Sequence, residues 1–279
     1  MKMTSEENGR VNVVKFSNGV SSPQIHFGTY RIKTAEDVRT AVSTALEVGY
    51  RAFDTASVYK NHRKIAETFK EFLPKHGLSR KDIFLTSKLA PKDHGEQKCE
   101  DAIKNILTDL DTDYLDLFLI HWPGVQKLDV RDPENRVLRA QSWRVLERQT
   151  CERCLMRVNT WAPERCQTSL TCLVRHHKLG TFRAIGVSNY TAGHLAELLA
   201  ECGTAPHVLQ TELHPHYPQP GLTRLCDLHS IHVQAYSSLG AAGAESPLFQ
   251  CPEVTRVADS VGRSRAQVQH TSRLPQSGH

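Results

Sequence analysis

Short apolar runs alternate with amphipathic stretches of helical period along most of this 279-residue chain. Extended runs are read at 24–29, 52–54, 83–87, 115–120, 184–187, 207–211 and 232–236. Between them, apolar residues recur at helical spacing over 35–47, 63–72, 97–110, 133–147, 192–200 and 222–228. Strands that alternate with helices predict βαβ units and a parallel sheet. Seven such units in a chain of this length point to one TIM-type (β/α)8 barrel, an architecture that takes about 250 residues. Thr34, ahead of the first helix, and Ser79, ahead of the third strand, supply cap or turn chemistry. The leading VNVVKFSNGV, with Asn18-Gly19 between two extended runs, predicts a β-hairpin that plugs the barrel floor.

Two regions break this rhythm. Residues 148–178 have neither a clear period nor turn punctuation, and a connector of that length is unusual inside a compact α/β repeat. After Ser264-Arg265-Ala266-Gln267-Val268, which starts another amphipathic helix, the text becomes QHTSRLPQSGH, and no eighth strand is read. The expected fold is therefore one α/β barrel domain over 1–279, lacking its eighth strand and last helices. It carries a foreign insertion at about 148–178 and a divergent tail at 269–279. The first and seventh strands are then expected to have unpaired edges.

The net charge of +5 is local rather than general. Residues 148–178 hold six Lys or Arg against two Asp or Glu, and three more Arg follow from Arg263 onward. Basic segments without interleaved aromatics do not suggest a nucleic-acid surface. The first residues show no apolar leader, and no stretch approaches the ~18 apolar residues of a membrane span. A soluble, cytoplasmic, monomeric protein is expected, without nucleic acid or membrane as partner. Eight cysteines in a reducing compartment are not expected to form disulfides. Cys151, Cys154, Cys166, Cys172, His176 and His177 invite a zinc reading. The second cysteine pair is separated by five residues and lacks knuckle glycines, so no metal is expected.

The chemistry lies at the strand ends. FDTASVY places Asp54 last in a strand and Tyr59 in the loop above it, TSKL puts Lys88 just past the next strand, and LIHWP puts His121 at the end of the one after. Three consecutive strands thus deliver polar groups to the C-terminal barrel face, where barrel enzymes hold their active sites. Hydride addition to a carbonyl leaves an alkoxide that must be protonated. Tyr59 is the candidate acid, and Lys88 is expected to lower its pKa from about 10. Asp54 would hold Lys88 by an ion pair, and His121 would hydrogen-bond the substrate oxygen. Each residue also has a structural reading: helix cap, packing ring, solvated lysine or satisfied histidine. The shared register favours the chemical one.

These motifs resemble the aldo-keto reductase superfamily, whose members share DTAxxY, a Lys after the third strand, and IHWP. The resemblance covers residues 10–147 and 179–268. It implies a reductase of the NADP-dependent alcohol dehydrogenase type, with Asp54, Tyr59, Lys88 and His121 as its catalytic residues. It further implies that GVSNY and QTELHP hold the nicotinamide carboxamide of NADPH through Ser188, Asn189 and Gln210. YSSLG then supplies Tyr236 as the stacking face and Ser237 and Leu239 as pyrophosphate contacts. Tyr30, Trp122 and His121 are the substrate-binding candidates, a box suited to small aldehydes and ketones. The family's eighth-strand segment, which grips the adenosine phosphate, has no counterpart that can be read here. Two alternatives to an active reductase therefore stand: a catalytically impaired isoform, and a non-enzymatic nicotinamide-binding partner protein.

Overall fold

A computed structural model of the chain describes residues 12–150, 180–240 and 246–271. The hairpin forms as β1 (Val13–Lys15) and β2 (Ser21–Pro23), paired antiparallel around a turn in which Gly19 takes a φ of 87°. A two-residue β3 (Phe27–Gly28) follows, shorter than the expected 24–29 run. The hairpin takes Pro23 into its own ladder, and His26 turns its ring back onto Ser22, so only the end of that run is free to join the sheet. Thr34 then caps α1 (Ala35–Glu47) by accepting from the Asp37 backbone N–H, and the helix buries Val38, Val42, Ala45 and Leu46 as one stripe.

The repeat continues with β4 (Ala52–Asp54), α2 (His62–Lys75), β5 (Phe84–Leu89), α3 (Glu96–Asp109), β6 (Leu115–Ile120) and α4 (Glu134–Gln149). Beyond residue 180 come β7 (Phe182–Ser188), α5 (Ala192–Glu201), β8 (Val208–Glu212), α6 (Pro220–Leu228) and β9 (His232–Tyr236). Ser79 and Asp82 form a reciprocal capping box that turns the chain into β5. The described part closes with α7 (Pro247–Gln250), α8 (Pro252–Val261) and α9 (Arg265–Thr271). The start of α9 matches the expected amphipathic helix, whereas α8 had not been read. Pro252 opens α8 at a position where the missing N–H costs nothing, and Gly262 in the left-handed region ends it.

Strands β3 to β9 form one seven-stranded parallel sheet in sequential order. Among the described residues, β3 and β9 are each paired on one side only, so the sheet is a curled, open half-barrel rather than a closed ring. Residues 151–179, which hold most of the insertion and its candidate zinc ligands, lie outside the described residues, as does the tail from 272 on.

Alternation along each strand separates two cores. Phe53, Leu85, Phe118, Ile185 and Leu209 face the helices, while their neighbours Ala52, Phe84, Leu117, Ala184 and Val208 face the barrel interior. Phe16, from the hairpin turn, packs into that interior set, and Asn18 donates to the Arg183 carbonyl at 3.0 Å. The hairpin therefore does plug the floor. Buried Asp116 ties the lower ends of three strands together. It accepts from the Leu85 N–H and pairs with Arg80 at 2.9 Å and Arg183 at 2.6 Å.

Three strands crowd together at Gly186. A Cβ there would lie 2.2 Å from the Val208 carbonyl oxygen on β8 and 2.8 Å from a Leu119 methyl on β6. Backbone on one side cannot move without breaking the ladder. Gly186→Ala is expected to cost about 3 kcal/mol or more, the upper range for overpacking. A urea midpoint equal to that of the wild type would contradict this account of the site.

Candidate active site

The C-terminal ends of β4, β5 and β6 bring the four expected residues together. Asp54 ends β4, and His121 follows β6 directly. Lys88 lies inside β5 rather than past it, because that strand runs on to Leu89. Being inside the strand fixes its backbone on both sides and aims its side chain into the barrel. Its ammonium is fully buried, forms an ion pair with Asp54, donates to the Thr55 carbonyl at 3.1 Å, and reaches the Tyr59 hydroxyl at 3.4 Å.

Tyr59 ends a single 3-10 turn, Ser57–Tyr59. Two features fix that turn. Ser57 donates to the Lys88 carbonyl at 3.2 Å, and Thr55 donates to the side-chain oxygen of Asn61 at 2.8 Å. Asn61 is fully buried and donates in turn to the carbonyls of Thr29 and Ile32. It was not singled out from the sequence, although an Asn just before a helix and two residues past a key Tyr was a legible signal. Asn61 joins the loops above β3 and β4 and so sets the height of the Tyr59 ring.

The electrostatics differ from expectation in one respect. Tyr59 has its pKa pushed well above the ordinary tyrosine value, first by burial and then by the Asp54 carboxylate. The Lys88 charge does not reverse this, because Asp54 already balances it and burial itself disfavours the ammonium. Tyr59 is thus a fully protonated phenol in the free protein. The His121 ring lies 5.7 Å from the Tyr59 ring, edge to face. Burial, with Lys88 adding to it, lowers His121 to about 3, so the imidazole is neutral and able to hydrogen-bond without carrying charge. Its Nδ1 is buried without a partner among the described residues.

Tyr30 and Trp122 flank this group, both exposed. The Tyr30 ring lies 5.1 Å from that of Tyr59, and Trp122 stacks on His121 at 6.4 Å. Together they wall the mouth above the phenol.

A model of the aldo/keto reductase family matches residues 24–247. The chain belongs to this family. It is 32% identical to glyoxal reductase from Bacillus subtilis (strain 168) over 257 residues, which span 92% of this chain and 76% of that protein. It is 33% identical to the D/L-glyceraldehyde reductase of Hypocrea jecorina over 261 residues, 91% of this chain and 72% of the relative. Among solved structures, an aldo/keto reductase from Brucella melitensis superposes with a TM-score of 0.72 at 30% identity, covering 93% of this chain and 83% of the other.

In this aldo/keto reductase the other expected residues form a second polar group beside the first. Ser188, Gln210 and Gln234 are register partners on β7, β8 and β9. Asn189, held at a φ of 62° that asparagine tolerates better than most residues, donates to the His121 carbonyl at 2.9 Å and to Ser188 Oγ at 3.1 Å. Tyr236 donates its hydroxyl to Asn189 Oδ1 at 2.7 Å. Gln210 donates to Asp54 Oδ2 at 2.8 Å and so links the two groups. Ser237, at a φ of 50°, accepts from the Gly240 N–H in a tight turn, and Leu239 is half-buried in the same loop. No group of metal-ligating side chains occurs among the described residues, and none of the described helices is long and apolar enough to cross a membrane.

The buried histidines predict how stability changes with pH. His62, against Ser87 behind Lys88, and His207 are each lowered by burial from 6.5 to about 4. The unfolded chain takes up these protons below pH 6.5 while the folded protein refuses them until about pH 4. Stability therefore falls as pH drops through that window. Urea midpoints measured from pH 7 to 4.5 should fall steadily, with a shallower slope in His62→Gln; a flat profile would refute the assignment.

Proposed function

We propose that this chain reduces small aldehydes and ketones to alcohols, with NADPH as hydride source and Tyr59 as proton donor. The observation that carries this reading is a buried Lys88–Asp54 pair set against a protonated, half-buried phenol at the mouth of the half-barrel. Family membership fixes the general reaction. The two reductase relatives, which act on glyoxal and D/L-glyceraldehyde, support small carbonyl compounds as the substrate class.

The residues divide the work by geometry. The carbonyl oxygen sits between the Tyr59 hydroxyl and the neutral His121 ring, which polarise it by hydrogen bonding. NADPH, when bound, supplies the hydride. As the oxygen gains charge it becomes a far stronger base than a phenolate, so Tyr59 releases its proton despite its raised pKa. The developing phenolate is 3.4 Å from the Lys88 ammonium, which stabilises it when it forms. Asp54 keeps that ammonium charged against the cost of burial. Tyr30 and Trp122 wall the mouth where a small carbonyl compound would enter.

The donor set on β7 to β9 suits a carboxamide. A hydroxyl (Ser188) and two primary amides (Asn189, Gln210) offer donors and acceptors within one row, and the half-buried Tyr236 ring provides a flat face beside them. Ser237 and Leu239 would contact the diphosphate. An intact tetrad joined to this row supports an active enzyme over an impaired isoform or a partner protein. A cytoplasmic, monomeric protein is consistent with this reading.

Substituting Tyr59→Phe should lower turnover of a simple aldehyde by about 10²–10⁴ while leaving NADPH binding intact, the range for loss of a positioned general acid. Turnover equal to the wild type would remove Tyr59 from the mechanism.

A further inference from the structure

Gln234 is a polar residue on β9 that none of the chemistry above uses. It is the direct register partner of Gln210, and its side-chain oxygen accepts from Gln210 Nε2 at 2.8 Å. The same Nε2 donates to Asp54 Oδ2 at 2.8 Å. A carboxylate can only accept, so the Gln210 amide must turn its nitrogen toward Asp54. Two acceptors, Asp54 and Gln234, then hold both protons of that nitrogen. A flip would lose the Asp54 bond outright and would keep the Gln234 bond only if that amide turned over as well, so the pair favours one orientation in which the Gln210 oxygen is left to offer a ligand.

We propose that Gln234 is a positioning residue: by holding the Gln210 amide with its nitrogen on Asp54 and its oxygen toward the carboxamide row, it couples cofactor recognition to the Asp54–Lys88–Tyr59 proton path. The proposal rests on the reductase reading above. The connection crosses four strands, from Gln234 on β9 through Gln210 on β8 and Asp54 on β4 to Lys88 on β5. Gln210 also fixes the orientation of the Asp54 carboxylate by donating to the oxygen that Lys88 does not use. A side chain on β9 thereby sets the acceptor that faces the nicotinamide and is linked through Gln210 to the carboxylate that holds Lys88.

The test compares wild type, Gln234→Met, which keeps length but offers no strong acceptor, and Gln234→Glu, which keeps an acceptor oxygen. Three quantities are read on each: NADPH dissociation constant by tryptophan quenching, the pH profile of kcat/KM for propanal, and solvent exchange of the Gln210 side-chain amide by ¹⁵N NMR. In wild type the Gln210 amide should be protected. Gln234→Met should lose that protection, raise the NADPH dissociation constant about five- to tenfold, and lower kcat/KM for propanal across the whole pH profile. Gln234→Glu should restore the protection and the cofactor affinity. A Met variant matching wild type in affinity and profile would overturn the proposal. So would a wild-type Gln210 amide exchanging as fast as free glutamine, a result that needs no variant to fold. Protection present in wild type and lost in Gln234→Met, with no propanal turnover in either, would support the positioning role and count against the reductase reading instead.

Discussion

A lysine ammonium with no solvent contact is stable only if an anion and further acceptors lie within hydrogen-bonding reach. Lys88 meets that condition through Asp54 and the Thr55 carbonyl, all three delivered by two neighbouring parallel strands. The requirement reaches outward. Asp54 must end β4 at the height of Lys88 inside β5, so the register of those strands is fixed by charge as well as by apolar packing. Leaving one partner of such a pair alone in the interior costs about 3–5 kcal/mol, a large share of the stability of an ordinary domain. The pair therefore constrains the fold, and in the proposed reaction it is also the charge beside which Tyr59 would act.

Much of this was legible in the sequence because the barrel repeat writes its period plainly. The fourth, sixth and ninth strands have the expected bounds, as does α1, since each is a clean apolar or amphipathic run with a cap or turn at its edge. The four polar residues could be read because DTASVY, TSKL and IHWP sit at strand ends. What could not be read depends on long-range geometry. The truncation of β3 follows from the hairpin claiming Pro23, and the raised pKa of Tyr59 follows from the balance of burial against an already neutralised lysine. Gln234 carries no local signal, and the position of Asn61 before a helix marks it only as a cap. Their importance arises from partners 32 and 24 residues away, at Thr29 and Gln210.

The hairpin shows the same division at the other end of the barrel. Its apolar turn residue Phe16 fills the interior beneath Ala52, Phe84 and Leu117, where a floor is needed to keep water from the lower barrel. Asp116 and its two arginines then hold the strand ends around that plug. The floor is apolar inside and ionic outside, while the mouth reverses the order, with ions buried and aromatic rings exposed. A single sheet supports both arrangements because alternate residues of each strand serve different layers.

Strand β9 is paired on one side only, among the described residues, and its side chains are half-buried along its whole length. Edge strands open at lower free energy than central ones. Tyr236 and Gln234 both sit on this strand, so loosening it would slacken the polar row without melting the rest of the sheet. Warming would then disturb this flank ahead of the buried strands at the centre of the sheet. In such a molecule the stability of the polar row and that of the core would depend on different strands.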